Sequence, residues 1–229
     1  MKFTLHHREI TASTNLDARS GSPGDVFTAD FQTAGRGRLD HTWESAPGRN
    51  LLMSVVLPVH DLDPAEVATL PLIIGLAITS IIRKFANSPI RKFENSKISL
   101  KWPNDIFLNG EKVAGILCER NGDNVIAGIG VNIDQPGRPS LGGDRDQTRD
   151  AILASLSDYF ERWLSSGFAA LYPELVAIDY LKGRHVSVRQ TDDDSSPITG
   201  LCGGIQLDGS LLIGNTRVYA GEAHVEEII

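Results

Sequence analysis

Cysteine and long apolar segments are both scarce in this sequence, and each scarcity excludes a class of protein. The 229 residues include two cysteines, Cys118 and Cys202, in unlike contexts and without the paired spacing of a zinc site. The longest apolar run, residues 70–78, is too short to cross a bilayer, which takes about 20 residues. The N-terminus lacks the apolar region and the cleavage signature of a secretory signal. We therefore expect a cytoplasmic protein with no zinc site and no membrane contact.

An excess of positive charge is absent as well. Lysine and arginine number 22 against 29 aspartates and glutamates, so the formal net charge is −7 at pH 7. An acidic chain has little bulk affinity for nucleic acids, and no helix-turn-helix pattern is present. We expect no nucleic-acid partner, although a local basic site for a small anion stays open.

Two familiar phosphate-binding signatures are also missing. No G-x-x-x-x-G-K-[ST] loop occurs anywhere in the sequence. The "GRGRLD" run at residues 35–40 lacks the third glycine of the dinucleotide fingerprint and precedes no helical pattern. Any nucleotide site in this protein must therefore be built in another way.

The apolar pattern of the first part of the chain predicts both strands and helices. Strands are expected at residues 25–32 and 50–59, and Asn109 with Gly110 marks a hairpin between two further strands. A helical pattern from residue 64 to 85 contains Pro71, which should kink the helix or split it.

The pattern changes towards the C-terminus. Residues 148–181 alternate like one or two helices, whereas residues 182–229 consist of short β-prone pieces separated by turns. The sequence therefore predicts a main domain at residues 1–181 and a small β-barrel or sandwich at residues 182–229. The near-duplicate segments KFANS and KFENS, within residues 84–96, are interpreted as a peripheral surface insertion.

A short loop carries two glycines and two arginines in alternation. Gly35 and Gly37 would let the backbone approach a ligand closely and adopt positive φ. Arg36 and Arg38 offer fixed cations whose donor geometry suits phosphate or carboxylate. A solvated loop whose arginines pair with surface acids explains the same residues equally well.

Three later motifs each allow a functional and an ordinary interpretation. In K-W-P-N-D, Asn104 and Asp105 can reach a pocket from a strand end, but a plain turn with a surface ion pair is the better interpretation of that motif alone. Lys112 can stabilise developing negative charge, or it is an edge lysine. Gly128 and Gly130 indicate a close approach to a strand or a bulge, with Asn132 free to bind a polar ligand.

The order and spacing of the motifs resemble the biotin protein ligases over most of residues 11–135. The resemblance implies an α+β fold of the class II synthetase type, with a mixed, mostly antiparallel sheet, flanking helices and an SH3-like C-terminal domain. The matching motifs are S-T-N at 13–15, Q-x-x-G-R-G-R at 32–38, tryptophan at 43, K-W-P-N-D at 101–105, K-x-A-G-I-L-x-E at 112–119 and G-I-G-x-N at 128–132.

The resemblance implies a ligase that uses ATP and Mg²⁺ to form biotinyl-5′-AMP and then biotinylates one lysine of a carrier domain. The expected partner is the biotin carboxyl carrier domain of acetyl-CoA carboxylase or a related carboxylase, and a homodimer is plausible for this family. Because Ser13 already falls in the biotin site, we expect the ligase-only form without an upstream DNA-binding domain.

The resemblance also assigns residues to roles. Those implied for biotin are Ser13, Thr14, Asn15, Gln32, Gly35, Arg36, Gly37, Arg38 and Lys112. Those implied for the nucleotide are Arg36, Arg38, Trp43, Asn104, Lys112 and Asn132. Those implied for catalysis are Lys112, Arg38 and Asp105, the last of which would orient or deprotonate the acceptor lysine.

The sequence departs from the family pattern at three places. Asp40 and His41 stand where many relatives have a second Gly-Arg pair, so we hypothesise weaker retention of the adenylate. Asp134 replaces the last asparagine of G-I-G-x-N-x-N, and the KFANS/KFENS insertion is the third departure.

Three rival functions are compatible with parts of this pattern. A lipoate ligase or lipoyl/octanoyl transferase shares the fold but uses a different Gly/Arg loop. A non-catalytic biotin or adenylate sensor is disfavoured because Lys112 and Asp105 are both present. A nucleic-acid-binding module is disfavoured by the net charge and by the order of the motifs.

Overall fold

The computed structural model, which describes residues 1–39, 41–86, 96–190 and 196–226, is built on a seven-stranded sheet. Its strands are β1 (Thr4–Thr11), β2 (Asp25–Gln32), β3 (Asn50–Pro58), β4 (Ile98–Lys101), β5 (Asp105–Leu108), β6 (Glu111–Asn121) and β7 (Asn124–Asn132). They lie in the order β1-β2-β3-β7-β6-β5-β4, and all neighbours are antiparallel except β1 and β2. The prediction of a mixed, mostly antiparallel sheet is confirmed.

The described part of the chain also forms the α-helices α1 (Thr14–Asp17), α2 (Pro64–Ala68), α3 (Leu70–Ala86), α4 (Arg145–Ser166) and α5 (Tyr172–Val176). The long helices α3 and α4 pack on each other, and both contact the central strands. The helical pattern at residues 64–85 is split at Thr69, and Pro71 falls in the first turn of α3, where its missing N–H costs nothing. The break that Pro71 predicted is confirmed as two separate helices.

Strand β3 is buried on both faces of the sheet, and one of these faces packs against the long helices. Its side chains alternate, so Leu51, Met53 and Val55 join the cluster formed with α3 and α4. Leu52 and Ser54 point to the opposite face and are also buried. Burial on both faces is why this strand reads as an almost continuous apolar run.

The sequence predicted one local feature of the sheet, the hairpin at Asn109 and Gly110, and missed another, the edge strand β1. The hairpin at Asn109 and Gly110 is confirmed, with φ of 54° and 88°, the pair of positive values that a two-residue turn of this kind requires. Strand β1 was not predicted, because "TLHHREIT" is exposed at seven of its eight positions and carries no alternating apolar face. Its place at the sheet edge permits that composition.

A second, five-stranded antiparallel sheet lies at the C-terminus. Its strands are β8 (His185–Arg189), β9 (Ile198–Ile205), β10 (Leu211–Ile213), β11 (Thr216–Val218) and β12 (Glu222–Val225), in the order β11-β10-β9-β8-β12. Its buried side chains belong to the same hydrophobic cluster as those of the main sheet. The indole N–H of Trp102 donates to the Gly209 carbonyl at 3.0 Å across this junction. A domain boundary at residue 181 stays a prediction.

Two further expectations concern segments rather than elements. Most of the KFANS/KFENS insertion lies outside the described residues. None of the helices in the described part of the chain combines the length and apolar character needed to span a membrane.

Candidate active site

A cavity of about 290 Å³ lies between the Gly/Arg loop, the strand ends near Asp105 and the C-terminal sheet. It gathers most of the side chains that the sequence singled out, namely Ser13, Thr14, Asn15, Gln32, Arg36, Gly37, Arg38, Trp43, Asn104, Asp105 and Lys112. Two of the predicted residues do not line it. Gly35 packs against the Trp43 carbonyl and is not part of the cavity lining. The side-chain amide of Asn132 is buried and donates to the Pro139 carbonyl at 3.0 Å. Their ligand contacts stay predictions.

Glycines on β6 and β7 form the floor of the cavity and leave space above the strands. Gly115 and Gly130 stand opposite each other in the strand register, and the indole of Trp43 lies directly over them. A Cβ at Gly130 would come within 2.5 Å of the indole ring, and one at Gly115 within 2.9 Å. These glycines are therefore required by the close approach of a side chain from the loop.

One end of the cavity is neutral and internally hydrogen-bonded. Both the N–H and the hydroxyl of Thr14 donate to Gln32 Oε1, at 2.7 and 3.0 Å. The Ser54 hydroxyl lies 2.6 Å from Asn15 Oδ1 and 2.7 Å from Thr14 Oγ1. Asn15 Nδ2 donates to Glu119 Oε2 at 2.7 Å. The polar groups predicted to bind biotin are thus held in place by each other.

A β-bulge aims Lys112 into the cavity. Asp105 pairs with Gly115, but two positions later Phe107 pairs with Lys112, so Val113 is an extra residue in β6. Simple alternation would put Lys112 and Gly115 on opposite faces, whereas the extra residue brings them to the same face. The bulge therefore turns Lys112 towards the site and leaves Val113 fully buried on the other side.

Lys112 sits between an acid and an aromatic ring. Its Nζ lies 2.8 Å from Asp105 Oδ1 and 5.6 Å from the centroid of the Trp43 ring. A carboxylate and an aromatic face both attract an ammonium group, so the lysine is held near the middle of the cavity. The Lys112 side chain is 43% exposed and the Asp105 side chain is 18% exposed, so the acid is the more buried partner of this ion pair.

Lys101 is a second lysine in the cavity, and the sequence interpretation gave it no role beyond a surface pair. Burial lowers its pKa from 10.5, while Asp105 and Glu222 act in the opposite direction and Lys112 lowers it slightly further. Within the described residues no carboxylate forms an ion pair with its ammonium group, which lies 5.6 Å from the centroid of the Phe107 ring. A half-buried cation without a direct counter-ion is well suited to an anionic ligand.

The Gly/Arg loop is closed by its own backbone. The Gly37 N–H donates to the His41 carbonyl at 2.6 Å, and the Trp43 N–H donates to the Gly35 carbonyl at 3.0 Å. The positive φ expected of the two glycines is wrong: among the described residues of the loop, Leu39 has a positive φ, at 53°, and neither glycine does. The glycines provide space instead, since a Cβ at Gly35 would lie 2.5 Å from the Trp43 carbonyl oxygen.

The loop is tied to the rest of the protein at two places. Arg36 Nη1 lies 3.0 Å from Glu119 Oε1 on β6. On the other side, Arg38 Nη1 donates to the Gly221 carbonyl at 3.1 Å, and His41 Nε2 lies 3.3 Å from Glu222 Oε2. Burial lowers the pKa of Arg38, opposed by the charges of Asp105 and Glu222.

Sequence reasoning missed several residues of the site, and the strength of the available signal differs among them. Ser54 is a lone polar residue inside an apolar strand, which is a usable signal because a buried hydroxyl needs a partner. Glu119 is the last residue of the K-x-A-G-I-L-x-E motif. It lies an even number of positions from Gly115 and Leu117 along β6, so its side chain could be expected on the same face of the strand. Glu222 and Ala223 reach the cavity from the C-terminal sheet, and no local pattern announces that contact.

The fold and the cavity define a class of protein. Residues 7–135 match the model of the biotin/lipoate A/B protein ligase family, and because this match covers more than half of the 229 residues, the chain belongs to that family.

Individual relatives narrow the comparison to biotin ligases. The biotin–[acetyl-CoA-carboxylase] ligase of Mycobacterium tuberculosis is 32% identical over 188 residues, covering 74% of this chain and 66% of the relative. The enzyme of the same description from Paracoccus denitrificans is 30% identical, covering 89% and 91%. The biotin protein ligase of Aquifex aeolicus in complex with biotin and ATP superposes with a TM-score of 0.82 at 25% identity, covering 97% of this chain and 99% of that chain.

Some relatives are considerably longer. The chain spans 66% of the length of the Mycobacterium tuberculosis ligase and 41% of the bifunctional ligase/repressor of Bacillus subtilis.

Proposed function

We propose that this protein activates biotin with ATP to form biotinyl-5′-AMP and pyrophosphate, and then transfers the biotinyl group to a lysine of a biotin carboxyl carrier domain. The observation that carries the proposal is one cavity in which a neutral hydrogen-bonding end adjoins an end lined by Arg36, Arg38, Lys101 and Lys112. The uncharged rings of biotin suit the first end, whereas its carboxylate and the phosphates of ATP suit the second. The likeness to an Aquifex aeolicus ligase that binds biotin and ATP supports the same assignment.

The first step joins two anions. An oxygen of the biotin carboxylate attacks the α-phosphorus, a new P–O bond forms, and the bond from that phosphorus to the bridging oxygen of pyrophosphate breaks. Repulsion between the carboxylate and the phosphates opposes this approach. Lys112, held near the middle of the cavity, and Arg38, at its edge, would neutralise negative charge as it develops on the phosphate oxygens.

The second step transfers the acyl group. The neutral amine of the acceptor lysine attacks the acyl carbon, a C–N bond forms, the C–O bond to AMP breaks, and the proton lost from the nitrogen passes to the Asp105 carboxylate or to solvent. Asp105 is the carboxylate in the cavity that lies beside Lys112, at 2.8 Å. A fixed anion there would orient the incoming ammonium or amine and stabilise the positive charge that develops on its nitrogen.

The mixed anhydride must also be protected from water. Trp43 covers the glycine floor, and the loop that bears it is fastened to both sheets. A closed, tethered loop would limit the access of water to the adenylate and slow its escape.

Among the described residues the site has no group of three His, Cys, Asp or Glu side chains suited to a metal ion. Of the cavity carboxylates, Asp105 lies against Lys112 and Glu222 against the His41 ring. Mg²⁺ commonly keeps its waters and is held mainly by the phosphates of a nucleotide. We propose that Mg²⁺ would enter with ATP.

One assay separates this proposal from its rivals. The protein is incubated with ATP, Mg²⁺ and labelled biotin, lipoate or octanoate, each with and without a purified biotin carboxyl carrier domain. Label on the carrier from biotin alone is the expected result. Label from lipoate or octanoate would indicate the lipoyl branch of the family, and adenylate without transfer would indicate a sensor.

A further inference from the structure

The side chain of Glu119 joins two parts of the cavity wall that are far apart in sequence. Its Oε2 accepts the hydrogen bond from Asn15 Nδ2 at 2.7 Å, and its Oε1 lies 3.0 Å from Arg36 Nη1. Arg19 approaches the same Oε1 from outside the cavity, at 3.7 Å. One carboxylate therefore connects the N-terminal end of helix α1 with the Gly/Arg loop.

The two carboxylate oxygens of Glu119 have separate partners. Because Asn15 takes Oε2 and Arg36 takes Oε1, neither bond has to break for the other to form. The Glu119 side chain is 20% exposed, compared with 45% for Arg36, so the acid is the more buried partner of the pair. Charge-assisted hydrogen bonds to a fixed acceptor are among the stronger polar contacts in proteins.

The Asn15 amide is itself fixed on the other side. Its Oδ1 receives the Ser54 hydroxyl at 2.6 Å, and it lies so close to β7 that a Cβ at Gly128 would come within 2.2 Å of that oxygen. A chain of contacts thus runs from Ser54 through Asn15 and Glu119 to Arg36. Its start is in the buried sheet and its end is in the loop.

We infer that Glu119 is a positioning residue that holds Arg36 at the cavity and links the position of the Gly/Arg loop to the neutral end of the site. The inference rests on the proposed function for its meaning in catalysis, but the contact itself exists without substrate. Glu119 does not touch the ligand in this scheme. It acts through Arg36, whose guanidinium then faces the carboxylate and phosphates at a fixed place.

Two substitutions isolate the pair. Glu119→Gln keeps an oxygen for Asn15 but removes the charge that attracts Arg36, and Arg36→Gln removes the other partner. Each single variant is expected to weaken biotin binding and to speed the release of biotinyl-5′-AMP by about tenfold, as for a lost charge-assisted hydrogen bond. The double variant is expected to be no worse than Arg36→Gln alone, because Glu119→Gln keeps the oxygen that accepts from Asn15 and the lost charge then acts on the ligand through Arg36. Multiplied single effects in the double variant would overturn the inference.

Arg19→Gln is the matched control. Arg19 contacts the same oxygen of Glu119 but does not line the cavity, so this variant should keep wild-type biotin affinity and adenylate release. A loss in Arg19→Gln as large as that in Glu119→Gln would show that the charge balance around Glu119 matters rather than the link to Arg36, and would contradict the inference.

A measurement without any substrate distinguishes this inference from the proposed function. Hydrogen exchange of the Gly37, His41 and Trp43 amides reports on the loop, because all three donate to carbonyls within it. Exchange in Glu119→Gln should be about tenfold faster than in wild type, at an unchanged melting temperature. Unchanged exchange would refute the positioning role even in an active ligase, whereas faster exchange in a protein that forms no biotinyl-5′-AMP would refute only the proposed function.

Discussion

The polar groups at the two ends of the cavity differ in whether they have partners before a ligand binds. At the neutral end, the side chains of Thr14, Asn15, Gln32 and Ser54 hydrogen-bond to each other before any ligand arrives. At the charged end, Lys101 is half-buried, burial lowers its pKa, and no carboxylate within the described residues forms an ion pair with its ammonium group. A ligand at the first end must fit donors and acceptors that are already placed, whereas a ligand at the second end supplies charge that the protein lacks.

This difference predicts a division of labour between geometry and electrostatics. Pre-positioned neutral groups discriminate by shape and hydrogen bonding, and their contribution hardly depends on salt. Cations that wait for an anion give affinity that falls with ionic strength, because screening acts on the attraction. Variants at the neutral end should therefore change biotin binding without changing ATP binding, whereas variants at the charged end should act on the phosphates of ATP and, at Arg36, also on the biotin carboxylate.

The largest effect is expected from Lys112→Gln. This change removes the ammonium that the bulge aims at the reacting groups, so biotin-dependent exchange between pyrophosphate and ATP should fall by about 10²–10³-fold, as for loss of one charge-stabilising donor. Glu111→Gln is the control, because Glu111 is the exposed neighbour on the same strand. Exchange within threefold of wild type in Lys112→Gln would remove this residue from the chemistry.

Lys101→Met should affect the charged end alone. We expect the KM for ATP to rise by about tenfold with an unchanged Kd for biotin, since a single charge-assisted contact to phosphate is lost. Lys97→Met provides the control, because Lys97 precedes the same strand but is exposed. An equal loss of biotin affinity in Lys101→Met would mean that the two ends are not separable.

The pH profile provides a second test of Lys101. Its pKa is lowered from 10.5, so the free enzyme loses this charge at a lower pH than an exposed lysine would. The value of kcat/KM for ATP should therefore decline on the alkaline side, beginning below pH 10.5. Lys101→Arg stays charged over this range and should flatten the decline; an identical alkaline limb in that variant would assign it to another group.

Ser54→Ala should give a smaller change, confined to the neutral end. The hydroxyl holds Asn15 and Thr14, and its loss should raise the Kd for biotin roughly 3–10-fold, in line with one neutral hydrogen bond, and leave the KM for ATP as it was. Ser80→Ala removes a half-buried hydroxyl on α3, remote from the cavity, and should leave both constants unchanged. A purely ATP-side effect of Ser54→Ala would reverse the assignment of the two ends.

Much of the fold was accessible from the sequence because local patterns carry it. The alternation at Asp25–Gln32, the apolar run of β3 and the Asn109–Gly110 turn each reflect neighbours along the chain. Strand β1 was not accessible, since an exposed edge strand needs no apolar face. Its place in the sheet depends on pairing with β2, which is a contact between distant residues.

The site was predictable only where a motif contains the residue. Lys112 belongs to a motif and lies at the cavity, yet the bulge at Val113 that turns it there depends on the register with β5. Glu222 enters the cavity through the packing of the C-terminal sheet. The loop contacts Arg38–Gly221 and His41–Glu222 join residues that are 183 and 181 positions apart. Such contacts between sheets have no local signature.

The smallest expected effect comes from His41, where the sequence departs from its relatives. Its Nε2 lies 3.3 Å from Glu222 Oε2, and both side chains are well exposed, so this contact contributes little to holding the loop. An imidazole is charged only at the acid end of the physiological range, whereas an arginine stays charged. His41→Arg should therefore slow the release of biotinyl-5′-AMP by about twofold to threefold, because it places a fixed positive charge beside Glu222. Glu222→Gln should abolish the benefit of the arginine, because the attraction needs both partners. Equal release from wild type and His41→Arg would show that the loop is held by Arg36 and Arg38 without help from this position.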